Sequence, residues 1–291
     1  NLLSFADKDS RICAVTAAMA TGTGLVNFAN KYPKRFFDVG IAEQHAVTFS
    51  SGLAKNGMIP FFAVYSTFLQ RSYDQLVHDV AMQGLKVVFC IDRAGFVGED
   101  GESHQGVFDT AYLMSVPDLT VFAPATFDEL SSMMYQAAYK EEKAVAIRYP
   151  RGGQAVLPED YKYEKHAFDI IGDDSKDICL VTYGRETECC CEAVKECDNA
   201  FVLKLNKIKP LSNEIADVLK NTKKIFFLEE GIKSGGVGEC FAELLLENGV
   251  NAEYRHICIN DEFVKQASVN SQLEKYRLDA QSVIDIVNEK I

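Results

Sequence analysis

Glu43 is the first residue of this 291-residue chain whose type and position could do chemistry. An apolar run typical of a buried strand precedes Gly40, and small or apolar residues then recur at Ala46 and Val47 with helical spacing. Glu43 is therefore predicted at a strand-to-helix junction, in the first helical turn. A carboxylate there either complements the helix dipole or acts in a site, and helix statistics alone favour the first interpretation.

Two aromatic residues mark the end of the next predicted strand. Tyr65 closes the apolar run 59–65, and Phe68 follows within one turn. Open α/β sheets bind ligands at the carboxyl ends of their strands, and an aromatic side chain offers a flat heteroaromatic ring a stacking surface. The alternative is that both residues belong to an ordinary amphipathic helix, which the spacing predicts over 66–83.

A long polar loop follows the strand predicted over 86–91. It contains four glycines, which let a backbone approach a ligand closely, and Asp100 and His104, which offer acid–base and hydrogen-bonding groups. A solvated loop with an incidental histidine is the alternative, because loops are commonly polar.

Four motifs resemble the 1-deoxy-D-xylulose-5-phosphate synthase family of thiamine diphosphate-dependent, transketolase-like enzymes. They are Ile-Ala-Glu-Gln-His-Ala at 41–46, Tyr-Ser-Thr-Phe-Leu-Gln-Arg at 65–71, Asp-Arg-Ala-Gly with Gly-Glu-Asp-Gly-Glu-Ser-His-Gln-Gly at 92–106, and Arg-Tyr-Pro-Arg-Gly at 148–152. The resemblance covers essentially the whole chain, and it is strong through residue 153 and weaker beyond.

The resemblance implies a role for each motif. The residues it implies to bind the pyrimidine ring of the cofactor are Glu43, Phe68, Ile41 and Arg71. The residues it implies to bind substrate are Tyr65, Arg93, Asp100, His104 and Arg151. The residues it implies to be catalytic are Glu43, Asp100 and His104. The guanidinium groups of Arg93 and Arg151 suit the phosphate of glyceraldehyde 3-phosphate, because each can form bidentate bonds.

The activity implied by the resemblance is that of a transferase. It condenses pyruvate with glyceraldehyde 3-phosphate, with loss of carbon dioxide, in the synthesis of isoprenoid, thiamine and pyridoxal precursors. A carboxylate such as Glu43, hydrogen-bonded to the pyrimidine, favours the tautomer that takes a proton from the thiazolium carbon. The family is homodimeric, so a homodimer is expected.

The chain departs from the family in one large respect. The family also has an N-terminal domain that binds the diphosphate through magnesium with a Gly-Asp-Gly motif, and no such motif occurs here. We therefore expect the C-terminal part of the enzyme, without metal ligands, inactive alone and partnered by the missing domain. The alternatives are a separately encoded subunit of a split transketolase or pyruvate dehydrogenase beta-like protein, and a non-catalytic scaffold.

Composition narrows the class of protein. The net charge of −12 and the pI near 5.0 argue against nucleic acid or an anionic membrane as the main partner. No apolar run approaches the roughly 20 residues that span a bilayer, and no signal peptide is visible, so a cytoplasmic protein is expected. The consecutive Cys189, Cys190 and Cys191 lack zinc-site spacing and are interpreted as reduced thiols.

Strand–helix alternation predicts the elements that must position these residues: two doubly wound α/β domains. We assign 1–153 to a pyrimidine-binding transketolase-like domain, 154–167 to a linker and 168–291 to a transketolase C-terminal-like domain. A helix is expected over 280–289, and an irregular tail from residue 261. The glycine-rich turn at 229–238 is interpreted as structural. Part of 93–106 is expected to be mobile, because its ligands and neighbouring domain are absent.

Overall fold

Apolar central strands buried on both faces, flanked by more exposed edge strands, form two sheets in the computed structural model, which describes residues 1–289. In the first half of the chain the strands are β1 Ile12–Thr16, β2 Phe36–Asp38, β3 Ile59–Tyr65, β4 Val88–Asp92, β5 Thr120–Phe122 and β6 Val145–Arg148. In the second half they are β7 Phe168–Ile171, β8 Ile178–Thr182, β9 Ala200–Leu205, β10 Lys207–Lys209, β11 Lys224–Ile232 and β12 Glu253–Ile259. The central strands of each sheet contain near-continuous apolar runs, because helices cover both faces of the sheet.

Helices connect and cover the strands. Those of the first half are α1 Leu2–Lys8, α2 Val26–Lys31, α3 Glu43–Lys55, α4 Ser66–Leu69, α5 Tyr73–Gln75, α6 Asp109–Met114 and α7 Phe127–Tyr139. Those of the second half are α8 Glu186–Lys195, α9 Glu214–Leu219, α10 Val237–Glu247, α11 Val269–Tyr276 and α12 Ala280–Val287. Short 3₁₀ turns lie at Pro33–Arg35, Gln70–Ser72, Gly98–Asp100 and Glu102–His104.

The two sheets confirm the predicted α/β class. The first has the strand order β10-β5-β6-β4-β3-β1-β2, and the second has the order β12-β11-β8-β9-β7. Neighbouring strands are parallel except at one edge of each sheet, where β10 runs antiparallel to β5 and β7 runs antiparallel to β9. Because β10 follows β9 in the chain yet joins the first sheet, the halves are tied together by backbone hydrogen bonds.

Strand register brings the motif-bearing segments to one edge of the first sheet. Tyr65, the last residue of β3, pairs with Asp92, the last residue of β4. On the other side of β4, Ile91 pairs with Arg148, the last residue of β6. Three parallel strands therefore end side by side, and the segments that follow them share the edge where α/β sheets bind ligands.

Several predicted elements differ from the structure. The helix expected over 66–83 is broken into α4, a 3₁₀ turn, α5 and a π-helical segment at Leu76–Ala81. The tail expected to be irregular from residue 261 contains α11. The sequence reading also missed α1, α6, β7 and β10. The last two residues of the predicted 168–291 domain lie outside the described part of the chain.

Candidate active site

Glu43 lies where β2 turns into α3. Gly40 makes the turn with φ of +73°, and the Asp38 carboxylate accepts a hydrogen bond from the Gly40 N–H at 3.0 Å. Glu43 is the first residue of α3 and is only 2% exposed. Arg71 Nη1 donates to Glu43 Oε1 at 2.6 Å, so the charge of a buried carboxylate is compensated by a cation that itself reaches solvent.

An aromatic cluster adjoins this ion pair. The Phe68 ring lies 4.8 Å from the Arg71 guanidinium carbon and stacks on the Tyr65 ring, with 5.8 Å between ring centroids. His104 meets Phe68 edge-on, with 5.3 Å between centroids. The guanidinium of Arg93 lies 3.7 Å from the Tyr65 ring centroid. These rings and guanidinium groups form one continuous surface beside Glu43.

Asp100 lies between two cations. Arg151 Nη1 donates to Asp100 Oδ1, and Arg93 Nε lies 3.6 Å from Asp100 Oδ2. Arg93 Nη1 also lies 3.3 Å from the carboxylate of Asp92, whose pKa is raised by burial against the opposing effect of the Arg93 charge. Two guanidinium groups that converge on one carboxylate can converge equally on a phosphate.

The 93–106 loop is closed at its base by a backbone bridge. The Gly95 N–H donates to the Gly106 carbonyl at 2.7 Å, and the Gly106 N–H returns the bond at 2.8 Å. A Cβ atom on Gly106 would lie 2.0 Å from the Arg93 carbonyl oxygen, so this close approach requires glycine. Arg93 has φ of +61°, an unfavourable conformation for a non-glycine residue that is characteristic of functional sites.

The residues present fit a pyrimidine ring. A buried carboxylate at Glu43 can accept a hydrogen bond from a protonated ring nitrogen, and the partly exposed Phe68 ring offers a stacking face. A groove of about 470 Å³ borders Phe68 and Arg71 and extends to Phe263 of the second half. Ile41 stands apart from the cluster, two residues before α3, with 82% of its side chain exposed.

A buried ion pair that the sequence reading missed supports the loop. Arg148 Nε and Nη2 donate to the two carboxylate oxygens of Asp109 at 3.0 and 3.1 Å, and Nη2 also reaches the Gly106 carbonyl at 3.3 Å. Both side chains are at most 6% exposed. Asp109 lies outside the quoted motifs, and the only signal in the sequence was an acid opening a short helix directly after the loop.

Within residues 1–289 no three His, Cys, Asp or Glu side chains are grouped to hold a metal ion. In the same range, no helix combines the length and the apolar character needed to cross a membrane. Cys190 and Cys191 are buried in α8, and burial raises the pKa of Cys191 to about 11, so that side chain remains a thiol at neutral pH.

Comparison with protein families gives two matches. Residues 1–154 match the family described as transketolase, pyrimidine binding domain, and residues 169–283 match transketolase, C-terminal domain. Curated relatives include 1-deoxy-D-xylulose-5-phosphate synthases from Syntrophomonas wolfei (40% identical, 99% of this chain, 46% of the relative) and Symbiobacterium thermophilum (43% identical, 97% and 44%). The chain thus spans about half the length of these relatives.

Solved structures with the same fold include a split gene transketolase described as an inactive beta4 tetramer. Its TM-score is 0.87 at 27% identity, and the match covers 99% of this chain and 94% of that one. A transketolase from Campylobacter jejuni has a TM-score of 0.82 at 14% identity, covering 99% of this chain and 45% of that one, which shows a shared fold.

Proposed function

Because the chain belongs to the transketolase family through its pyrimidine-binding domain, we propose that it supplies the pyrimidine half of a thiamine diphosphate site in a 1-deoxy-D-xylulose-5-phosphate synthase. One observation carries the proposal. A series of contacts runs from Glu43 through Arg71 to Phe68, which meets the loop residue His104 directly. From Phe68 the series also reaches Asp100, through Tyr65 and Arg93. The cofactor-binding and substrate-binding motifs thereby form a single site.

Each residue of that series has a proposed task. Glu43 holds a proton at the pyrimidine ring nitrogen, and the Phe68 ring stacks against the pyrimidine face. Arg71 keeps the Glu43 carboxylate oriented through their 2.6 Å hydrogen bond. Ile41 lies outside this series, and its exposed side chain is proposed to add an apolar edge once the cofactor is bound. Thiamine diphosphate, when bound, stabilises negative charge on carbon, which is the chemistry that protein side chains lack.

The substrates proposed are pyruvate and glyceraldehyde 3-phosphate, joined with loss of carbon dioxide. Arg93 and Arg151 bind the phosphate, which carries more negative charge than the Asp100 carboxylate they now contact and therefore competes with it. Asp100, once released, and His104 are then free to hydrogen-bond the reacting oxygens. Tyr65 supports Arg93 through its ring, 3.7 Å from the guanidinium carbon. The product serves isoprenoid and thiamine precursor synthesis in the cytoplasm.

The other half of the site is proposed to come from a diphosphate-binding domain. Magnesium would be bound there, since the motif that binds it in the family is absent from the printed sequence. We propose that 1–153 forms the half-site, that 154–167 is a linker, and that 168–291 is a transketolase C-terminal-like domain. Support for assembly comes from the split gene transketolase, described as an inactive tetramer of one kind of chain. A homodimer is the proposed assembly here.

A donor-substrate assay tests the function. The chain is combined with a diphosphate-binding domain, thiamine diphosphate and magnesium, and is offered either pyruvate or a ketose phosphate, each with glyceraldehyde 3-phosphate. Carbon dioxide release and product formation with pyruvate are expected. Turnover with the ketose phosphate but not with pyruvate would instead support the second candidate, a subunit of a split transketolase. The match to the split gene transketolase favours that candidate.

A further inference from the structure

Side chains of the second half of the chain form hydrogen bonds to the backbone of the 93–106 loop. The Phe96 N–H donates to Glu230 Oε2 at 2.7 Å, and Arg185 Nη2 donates to the Phe96 carbonyl at 3.2 Å. Arg185 and Glu230 also form an ion pair with each other. Glu230 lies on β11 and Arg185 directly precedes α8, so two separate elements of the second half fix both polar groups of one loop residue.

A second set of contacts to the second half lies further along the loop. Gln272 of α11 is only 2% exposed, and its Oε1 accepts a hydrogen bond from the Gly98 N–H at 3.2 Å while its Nε2 donates to the Lys265 carbonyl at 2.8 Å. Gln266 Nε2 donates to the Glu99 carbonyl at 3.2 Å. The side chain of Lys265 pairs with Glu102 at 3.0 Å. These three residues come from one segment, 265–272.

Apolar packing reinforces the hydrogen bonds. Phe96 is fully buried in the apolar core of the second half and stacks on Tyr276, with 5.4 Å between ring centroids and 25° between ring planes. Gly98 has φ of +63°, and a Cβ there would lie 3.1 Å from Cγ2 of Val269. A glycine at this position therefore lets the start of α11 lie directly against the loop.

We propose that the C-terminal half positions the 93–106 loop for its ligand, with Gln272 as the central positioning residue. The sequence led us to expect mobility in this loop because a neighbouring domain is absent. Instead, side chains of the second half form hydrogen bonds to four backbone groups of the loop. These bonds restrain the stretch that leads into Asp100. The identity of the ligand as a phosphorylated substrate rests on the proposed function, whereas the restraint of the loop does not.

Hydrogen–deuterium exchange on the purified chain tests the restraint without any substrate. Gln272→Met keeps the side-chain volume but removes both hydrogen bonds, so amides within 96–103 should exchange about tenfold faster, as expected when a buried donor loses its partner. Gln281→Met, at an exposed position in α12, is the matched control and should leave the loop unchanged. Unchanged exchange in the loop of Gln272→Met, or equal acceleration throughout the chain, would overturn the proposal.

A milder variant covers the case in which Gln272→Met fails to fold. Lys265→Ala combined with Gln266→Ala removes only exposed side chains, so the fold should survive. Exchange should accelerate selectively at 99–103, where those side chains contact the loop. Protection in that stretch identical to the unsubstituted chain would count against a positioning role.

Kinetics of the assembled enzyme separate positioning from stability. Gln272→Met should raise the KM for the phosphorylated aldehyde about tenfold while lowering kcat less, since a loss of folded molecules would lower kcat and leave KM unchanged. A fall in kcat alone would refute positioning. If no assembly turns over, including the unsubstituted one, the proposed function fails and the exchange experiment alone decides this inference.

Discussion

Glu43 combines two properties at the start of α3: near-complete burial and a single close cation. A carboxylate that only complemented the helix dipole would be expected at the solvent-exposed side of the first turn. Its pairing with Arg71, which also contacts the Phe68 ring, instead connects it to the aromatic cluster. The geometry therefore favours a role in the site over a role in helix stability.

The substitution Glu43→Gln tests that role. Gln retains the shape but cannot hold a proton as the carboxylate does, so turnover of the assembled enzyme should fall about 10²- to 10⁴-fold, the usual contribution of a positioned proton-transfer group. Carbon dioxide release is the measurement. Glu247→Gln, at an exposed position near the end of α10, is the control. Full activity of Glu43→Gln would exclude the proton-holding role.

Glu186 should make stability depend on pH. It is buried, and burial together with the nearby negative charge of Glu230 raises the pKa of its carboxyl well above the ordinary value of 4.5. The folded state therefore keeps a proton that the unfolded state releases, so the free energy of unfolding falls as pH rises above 4.5 toward the raised pKa.

The substitution Glu186→Gln removes this titration. The free energy of unfolding of the variant relative to the unsubstituted chain should grow by up to about 1.4 kcal/mol for each pH unit above 4.5. Urea unfolding between pH 4.5 and 7 measures it, with Glu192→Gln on the exposed face of α8 as the control. A difference that stays constant over this range would show that Glu186 ionises normally.

The sequence predicts the candidate site residues that lie in short motifs. Glu43, Phe68 and Asp100 were found because each lies among neighbours with a recognisable order. Arg148 and Asp109 are 39 residues apart, and Gln272 and Gly98 are 174 residues apart, so no local pattern marks their pairing. Contacts of that kind depend on the fold, which explains why the sequence did not predict these pairings.

At the scale of elements, hydrophobic periodicity located helical segments but not their hydrogen bonding. The run predicted as one helix over 66–83 keeps an apolar face throughout, yet it changes from α to 3₁₀ to π hydrogen bonding. The Met82 N–H bonds to the Val77 carbonyl, an i−5 partner that a sequence pattern cannot distinguish from i−4. The three-residue strand β10 is too short for an alternating pattern to identify it.

Lys204 of β9 links elements of both halves. Its side chain is fully buried, and its Nζ lies 3.1 Å from the equally buried Glu129 carboxylate of α7 and 4.0 Å from Asp169 of β7. The Tyr161 hydroxyl lies 2.8 Å from Glu129 and 2.6 Å from Asp169. Burial lowers the pKa of Lys204 against the opposing effect of the Glu129 charge, so the ammonium group depends on these acids.

The substitution Lys204→Met should destabilise the chain by about 3–5 kcal/mol, because it leaves two acids buried without their cation. Lys220→Met, at an exposed position, is the control and should cost little. Urea unfolding gives both values. Adding Glu129→Gln to Lys204→Met should restore part of the loss, since it neutralises the uncompensated carboxylate. A cost for Lys204→Met no greater than that for Lys220→Met would mean that the cluster adds nothing to stability.

In the whole molecule, the two sheets are not structurally independent units. β10 crosses into the first sheet, and Phe96 of the first half lies in the core of the second. Lys209 of β10 also donates to the carbonyls of Leu113 and Met114 at the end of α6, at 3.0 and 2.7 Å. The alternation of strands and helices predicted two α/β units, whereas their interlocking became visible only in the structure.

The proposed role of this chain is to supply one half of a thiamine diphosphate site. Its most direct test is carbon dioxide release from pyruvate, in the presence of glyceraldehyde 3-phosphate, thiamine diphosphate and magnesium, by the chain alone, by a diphosphate-binding domain alone and by the two together. This role predicts turnover only in the mixture, and loss of that turnover when the chain carries Glu43→Gln. Robust turnover by the chain alone, or a mixture indifferent to Glu43→Gln, would contradict it.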